Sequence, residues 1–167
     1  GYLVLDVVTT STGVGRSAGG TAGNVAANLA WLGRRAGLLA RIGDDNAGDL
    51  LCRDLLTAGV DTTHIHRSPT VETPVLIQQL EDSGPRYLFN CPRCKRKFAS
   101  HRPATSEQAE AAAASAPKIL FVDRASKASV ELMERVRAQG GLVMFEPNGP
   151  GRPGLTAQAI KYAHILK

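Results

Sequence analysis

Cysteine is scarce in this sequence, and long apolar runs are missing. The 167 residues contain three cysteines, an odd number, and they do not begin with a charged segment followed by an apolar one. These features exclude a small secreted scaffold held together by disulfides. No apolar run approaches the roughly 20 residues that are needed to span a bilayer. With 43% hydrophobic residues the chain can bury one sizeable core, so we expect a soluble, cytoplasmic protein.

Acidic residues are missing from the most basic part of the chain. Residues 93–102 contain five lysines and arginines and no aspartate or glutamate; the other 15 basic and 15 acidic residues cancel, so this run accounts for the net charge of +5. The positive charge is therefore one local patch rather than a field suited to nucleic acid. We expect a solvated loop, with contact to an anion or to a partner as the alternative.

The same region contains Cys91-Pro92-Arg93-Cys94, which has the spacing of half a zinc site. A structural zinc ion needs four ligands, and the sequence has no second pair with C-x-x-C or H-x-x-x-H spacing. His101 alone cannot complete the set, and Cys52, His64 and His66 are distant in sequence. We therefore expect no metal site, and no redox pair, because no helix N-terminus is predicted beside the thiols. The role of this loop stays open.

A glycine-rich turn leading into a helix is the most informative stretch, GGTAGNVAANLAWLG at residues 19–33. Its apolar residues at i, i+4 and i+7 predict the buried face of the helix: Val25, Leu29 and Leu32. Gly19 and Gly20 have no Cβ, so a ligand can approach their amides beside the helix N-terminus. Asn24 adds an amide that both donates and accepts hydrogen bonds. The stretch therefore indicates a site for a hydroxyl-rich or anionic ligand.

These residues resemble the first signature of the ribokinase-like (PfkB) carbohydrate kinases. The resemblance includes the glycine pair, the asparagine four residues after Gly20, Leu32-Gly33 at the helix end, and Ile42-Gly43-Asp44-Asp45 with Gly48. Residues 55–65 and FEPNGPG at 145–151 resemble later parts of the same family. The resemblance implies a ribokinase-like α/β fold, in which a parallel sheet is flanked by helices and carries a small β-hairpin lid.

The resemblance also implies an activity. Such kinases transfer the γ-phosphoryl group of ATP, with Mg²⁺, to a hydroxyl of a sugar or nucleoside. Residues 1–167 resemble only the N-terminal, substrate-binding portion of one such domain. The C-terminal part, with the Gly-Ala-Gly-Asp-type loop that holds the catalytic base, is absent, and the only Ala-Gly-Asp, at 47–49, belongs to the first signature. We therefore expect no catalytic residue in this chain, and we expect ATP and Mg²⁺ to be bound mainly by a part not present in it.

One acid interrupts an apolar run at residues 2–8, YLVLDVV, which otherwise predicts a buried parallel strand. A carboxylate in such a strand is costly unless it faces water or binds a ligand, and the residues alone leave both open. In the family the first strand ends with an acid that accepts sugar hydroxyls, so the resemblance implies that Asp6 is a substrate ligand together with Gly19, Gly20 and Asn24. Residues 9–18 are short for the segment in which the family places a lid strand.

From Pro103 onward predicted strands and helices alternate, which indicates right-handed crossovers and a parallel sheet. Ligands bind such sheets at the carboxyl ends of the strands. Asp123 and Glu146 follow two of these strands, and we include both among the substrate-binding candidates. Asp123 is equally suited to capping the next helix, and the resemblance favours contact with the sugar.

The segment 71–89 alternates apolar and polar residues around Asp82-Ser83-Gly84-Pro85, which predicts a β-hairpin. In the family this position, at about 71–90, holds the lid over the sugar. A two-stranded ribbon alone is marginal in water. We therefore expect the hairpin to close over the substrate or to pair with another subunit in a homodimer.

Two other functions fit parts of the pattern. Gly13, Gly15 and Gly19 approach the dinucleotide-binding fingerprint, which would make the chain a fragment of an oxidoreductase. Their spacing is irregular, and four polar residues separate the strand from Gly13. The other alternative is a domain that binds a sugar or a partner without catalysis. Neither nucleic acid nor a membrane is expected as a partner.

Overall fold

The computed structural model describes residues 1–149 and 151–167. In chain order its elements are β1 (Val4–Thr9), β2 (Val14–Gly19), α1 (Thr21–Trp31), β3 (Ala40–Gly43), α2 (Asn46–Thr57), β4 (Ile65–Ser68), β5 (Val75–Glu81), β6 (Gly84–Leu88), α3 (Ser106–Ala114), β7 (Ile119–Val122), α4 (Lys127–Ala138), β8 (Leu142–Phe145), α5 (Pro153–Tyr162) and β9 (Ile165–Leu166). The strands form three sheets, ordered β2-β1-β5-β6, β3-β4 and β7-β8-β9. The predicted α/β class, with helices flanking parallel strands, is confirmed.

The parallel strands come from β-α-β units. β3 and β4 pair in parallel across α2, and β7, β8 and β9 pair in parallel across α4 and α5. Buried side chains form one cluster beneath each of these sheets, one with Ile42 and Leu51, the other with Met133 and Phe145. Because parallel strands end at the same edge of a sheet, the residues that follow β7 and β8 lie side by side.

The first strand differs from its prediction. β1 pairs antiparallel with β2 and parallel with β5, so it lies inside a small mixed sheet rather than in the parallel core. Only Val4 and Leu5 of this strand are buried. A continuous apolar run indicates a strand with neighbours on both faces, and it cannot distinguish these two settings. Residues 9–18, which are short for the segment in which the family places a lid strand, contain most of β2, and Gly13 and Gly15 belong to the β1–β2 hairpin rather than to a dinucleotide-binding turn.

The predicted hairpin at 71–89 is present as β5 and β6, which pair antiparallel around residues 82–83. It is not an isolated ribbon, because β5 also pairs with β1. The four strands β2, β1, β5 and β6 are called the lid sheet below. Its two outer strands, β2 and β6, each have one edge without a strand partner among the described residues.

Helix α1 packs with a different face from the predicted one. Its buried residues are Ala22, Gly23 and Ala26, while Leu29 and Leu32 are 40% and 62% exposed. The helix lies too close to the chain before β1 for large side chains, since a Cβ at Gly23 would stand 2.9 Å from Leu3. The small residues therefore decide the packing face, and apolar spacing alone gave the wrong one.

Helix α2 is stabilised at both ends by the residues around it. The Asp45 carboxylate accepts a hydrogen bond of 2.8 Å from the Gly48 N–H and caps the helix. Gly59 follows the helix with a φ of 82°, a conformation that favours glycine. Asp44 forms an ion pair of 2.8 Å with Arg67. The described helices include none that is long and apolar enough to cross a membrane.

Candidate functional site

A cleft of about 330 Å³ separates the lid sheet from the carboxyl end of β7. Its walls are formed by Tyr2 before β1, by Val75 and Leu76 at the start of β5, by Arg124 after β7 and by residues 97–101. These segments are far apart in sequence. The fold therefore brings the start of the described chain, the lid sheet and a strand end to one place.

Tyr2 connects the two sides of this cleft. Its backbone N–H donates hydrogen bonds of 2.9 and 3.1 Å to the two carboxylate oxygens of Asp123. The Arg124 guanidinium lies 4.5 Å from the centre of the Tyr2 ring, close enough for a cation–π contact. His101 meets the same ring edge to face, with 5.7 Å between the ring centres. Tyr2 is thus held by contacts on its backbone and on its ring.

The titratable groups of the cleft are shifted by burial. Burial lowers the pKa of His101 to about 4, and the positive charges of the N-terminus and of Arg124 act in the same direction. His101 is therefore neutral at pH 7. Burial also raises the pKa of the Tyr2 phenol, so it stays protonated and can donate a hydrogen bond. The buried Nε of Arg124 has no hydrogen-bond partner within the described chain.

Asp6 presents an unsatisfied carboxylate. It lies in the middle of β1 and is half-buried, and its Oδ1 atom is buried with no partner among the described residues. Burial raises the pKa of this carboxyl, and its charge in turn raises the pKa of Tyr2, which shows that the two groups are neighbours. A Cβ at Gly19 would overlap the carboxylate. An acceptor in this state is suited to a ligand that donates a hydrogen bond.

The N-terminus of α1 adjoins these groups. Gly20 precedes the helix with a φ of 86°, and no side chain caps the N-terminus. A Cβ at Gly20 would stand 2.5 Å from the Tyr2 carbonyl oxygen, so glycine is needed for this close approach. The loop after β8 reaches the same point, because the Asn148 amide donates a hydrogen bond of 2.7 Å to the Thr21 hydroxyl. Uncapped N–H groups at a helix start favour anions and hydroxyl oxygens.

The predicted site residues lie beside the cleft rather than in its lining. Asp6, Gly19 and Gly20 lie together, and Asn24 is an exposed residue in the first turn of α1. Asp123 is fully buried and holds Tyr2. The Glu146 carboxylate forms an ion pair of 3.0 Å with Lys167. The two acids after β7 and β8 therefore already have partners within the chain, whereas Asp6 Oδ1 has none among the described residues.

Sequence analysis missed three residues that the structure brings to the cleft. Tyr2 was seen only as the start of an apolar run, and His101 only as an incomplete zinc ligand. Arg124 follows a predicted strand end, which is a signal that could have included it. The other two carry no such signal, because their positions depend on contacts between segments about one hundred residues apart.

Comparisons with known proteins agree on one family. Residues 3–167 match the profile of the pfkB family carbohydrate kinases. A fructokinase of Escherichia coli is 41% identical over 68 residues, which cover 41% of this chain and 22% of that protein. An ATP-dependent ribose-1-phosphate kinase of Halopiger xanaduensis is 44% identical over 69 residues, which cover 41% of this chain and 23% of that protein.

The fold agrees with a solved structure as well. A fructokinase of Xylella fastidiosa, crystallised with bound ATP, superimposes with a TM-score of 0.78 at 23% identity, covering 99% of this chain and 58% of that one. At this identity the likeness shows the fold alone. The chain spans less than a quarter of the two curated relatives and 58% of the solved structure.

Proposed function

The chain belongs to the pfkB family of carbohydrate kinases, and we propose that the surface around Asp6 and the start of α1, beside this cleft, binds the sugar or nucleoside whose hydroxyl accepts the γ-phosphoryl group of ATP. The observation that carries this proposal is the Asp6 carboxylate, which is half-buried against Gly19 and lacks a partner for Oδ1 within the described chain. A sugar hydroxyl would donate the missing hydrogen bond. A hydrogen bond to a charged group contributes about 1.5–3 kcal/mol.

Asp6, Gly19, Gly20 and Asn24 form one polyol-binding surface in this proposal. Asp6 accepts from a sugar hydroxyl, the two glycines let the sugar approach the start of α1, and the Asn24 amide binds a second hydroxyl. Asp123 contributes from the side of β7. It is fully buried, so in this proposal it supports the surface by holding the Tyr2 backbone rather than by touching the sugar. Glu146 borders the same strand edge.

The second part of this proposal concerns where ATP and Mg²⁺ bind. Phosphoryl transfer requires groups that stabilise the developing charge and a base that takes the hydroxyl proton. Residues 1–167 contain no Gly-Ala-Gly-Asp-type loop of the kind the family uses for these tasks. We infer that this chain carries the substrate-binding half, and that ATP and Mg²⁺ bind mainly to residues outside it.

A sugar panel tests the proposed substrate site. The relatives named above suggest fructose and ribose 1-phosphate as ligands, and calorimetric titration of the protein measures their binding. We expect at least one of them to bind and NAD not to bind. Failure of every sugar, with NAD bound instead, would favour a dinucleotide-binding protein. A sugar that binds to a full-length protein without any release of ADP would favour a non-catalytic binding domain.

The lid sheet is proposed to close over the sugar or to join two subunits. Several large apolar side chains on it are about half exposed, among them Val14, Leu80 and Tyr87. Its outer strands also offer unpaired backbone groups in the described chain. Such edges favour pairing with another segment or another copy.

A further inference from the structure

The loop that follows the lid sheet brings two thiols together in a fixed geometry. Residues 90–97 form a closed loop, because Asn90 pairs antiparallel with Lys97 and the Cys91 N–H donates a hydrogen bond of 2.8 Å to the Arg96 carbonyl. Lys95 closes the tight turn, with its N–H 2.9 Å from the Cys91 carbonyl oxygen. The loop 90–97 is called the cysteine knuckle below.

One backbone position of the knuckle is strained. Lys95 has a φ of 61°, although it is not glycine. A non-glycine residue in this region costs of the order of 1 kcal/mol or more and persists where surrounding structure requires it. Two side-chain contacts hold the turn in this state: the Asn90 amide donates to the Lys95 carbonyl at 3.1 Å, and the Lys95 ammonium donates to the Pro92 carbonyl at 2.9 Å.

The closed loop keeps its two cysteines on one short turn, three residues apart. The C-x-x-C spacing is that of a common pair of zinc ligands. Cys91 is half-buried and Cys94 is exposed, and the two are not joined in a disulfide. Neither thiol is therefore consumed by a disulfide.

Two ligands are half of what such a cation requires. Structural zinc sites are tetrahedral and have four ligands, with C-x-x-C as a common pair. The described residues contain no group of three or more metal-ligating side chains. The missing pair therefore has to come from outside this chain, and a twofold axis through the metal would supply an identical one.

We propose that Cys91 and Cys94 form half of a tetrahedral Zn²⁺ site, which the same two cysteines of a second copy of this chain complete. The neighbouring surface suits a second copy, because strand β6 ends just before the knuckle with an unpaired edge among the described residues. Tyr87 and Phe89 beside it are 51% and 61% exposed. An open strand edge with exposed aromatic side chains favours association.

The basic patch at 93–102 couples metal binding to assembly. On binding, each of the four thiols releases its proton to solvent, and the zinc ion keeps its charge of +2, so the Zn(Cys)₄ centre carries two negative charges. Arg93, Lys95 and Lys97 are exposed around it and stabilise this charge. Without the metal, the same side chains of two copies repel each other. We therefore expect formation of the dimer to require zinc.

Zinc titration of the purified, reduced protein tests this site. We expect about 0.5 zinc ion per chain, conversion of monomer to dimer in light scattering, and reversal of both by a chelator. Co²⁺ in place of zinc should give the absorption of a tetrahedral tetrathiolate. Cys91→Ser and Cys94→Ser should each reduce zinc retention and dimer by at least about tenfold, while Cys52→Ser, a thiol in α2, should change neither.

Three results would overturn the proposal. These are absence of zinc and of the cobalt spectrum in the unmodified protein, one zinc per chain bound by a monomer, and equal losses in Cys52→Ser and the knuckle variants. Circular dichroism of each variant separates loss of the site from loss of the fold.

Discussion

Asp6 and Gly19 depend on each other because of their register in the β1–β2 hairpin. Asp6 lies opposite Ser17, which makes Gly19 its diagonal neighbour on the same face of the lid sheet. A side chain at Gly19 would overlap the Asp6 carboxylate. The glycine thus leaves the carboxylate room to face a ligand. Burying a carboxylate oxygen without a hydrogen-bond partner lowers the free energy of unfolding, and a bound ligand would remove this loss.

Asp6→Asn is expected to weaken sugar binding without unfolding the protein. The variant loses a hydrogen bond to a charged group, so affinity should fall by about 1.5–3 kcal/mol, which is roughly 10- to 150-fold. The pKa of Asp6 is raised by burial, so the ionised form is destabilising at neutral pH and its removal should leave the melting temperature equal or higher. Calorimetric titration and thermal melting measure the two effects.

Asp61→Asn is the matched control for this change. Asp61 is exposed in the loop before β4, outside the segments proposed to contact the sugar, so the same chemical substitution there should leave sugar affinity unchanged. If Asp6→Asn also binds sugar as well as the unmodified protein does, Asp6 is not a ligand.

His101 should make stability depend on pH. Its folded pKa of about 4 lies below the ordinary value of 6.5, so the unfolded chain binds more protons between these values. The contribution of His101 to the free energy of unfolding is therefore complete above about pH 6.5 and is lost as the pH falls to about 4, by up to about 3 kcal/mol. His101→Phe keeps an aromatic ring against Tyr2, so the free energy of unfolding measured with urea should depend less on pH between these values. His66, whose pKa burial also lowers, leaves a residual slope; an unchanged slope would contradict the assignment.

At the scale of elements, a strand or helix can be predicted from the sequence where its apolar residues form a recognisable pattern. β7 and β8 carry apolar runs, helices α3 and α4 before them begin with capping boxes, and their β-α-β order was predicted correctly. β2, with the sequence VGRSAG, is exposed over most of its length and has no apolar alternation, so no pattern marks it as a strand. α1 was predicted as a helix with the wrong face, because close packing on Ala22 and Gly23 is a tertiary property.

Hydrogen exchange tests the function of the lid sheet. Strand β6 is mostly exposed, and the described chain leaves its outer edge unpaired, so its amides should exchange quickly in the unbound monomer. We expect the segment 71–89 to become protected when sugar binds or when a dimer forms. The buried strand β8 should stay protected throughout and is the internal control. Fast exchange of 71–89 in every state would exclude both closure and pairing.

At the scale of the whole molecule, the candidate site combines segments that a sequence cannot bring together. His101 and Arg124 both contact the ring of Tyr2, although each is about one hundred residues or more from it in sequence. Asp6, Gly19 and Gly20 could be proposed from local motif spacing and a family resemblance, and their role as ligands stays a prediction. The partners that hold the cleft could not be proposed in this way, since each contact spans about one hundred residues and leaves no periodic pattern.

The last prediction is that residues 1–167 bind the sugar but do not transfer the phosphoryl group. Residues 1–167 cover 58% of the fructokinase structure that binds ATP, and they contain the glycine-rich turn and Asp6 but no Gly-Ala-Gly-Asp-type loop. Phosphoryl transfer depends on groups positioned at the developing charge, so a polypeptide of residues 1–167 should bind sugar and yet produce no sugar-dependent ADP. The assay contains ATP, Mg²⁺ and the sugar panel, with Escherichia coli fructokinase as the positive control. Sugar-dependent ADP from residues 1–167, abolished by Asp6→Asn, would mean that the catalytic groups lie within this chain and that the proposed division is wrong.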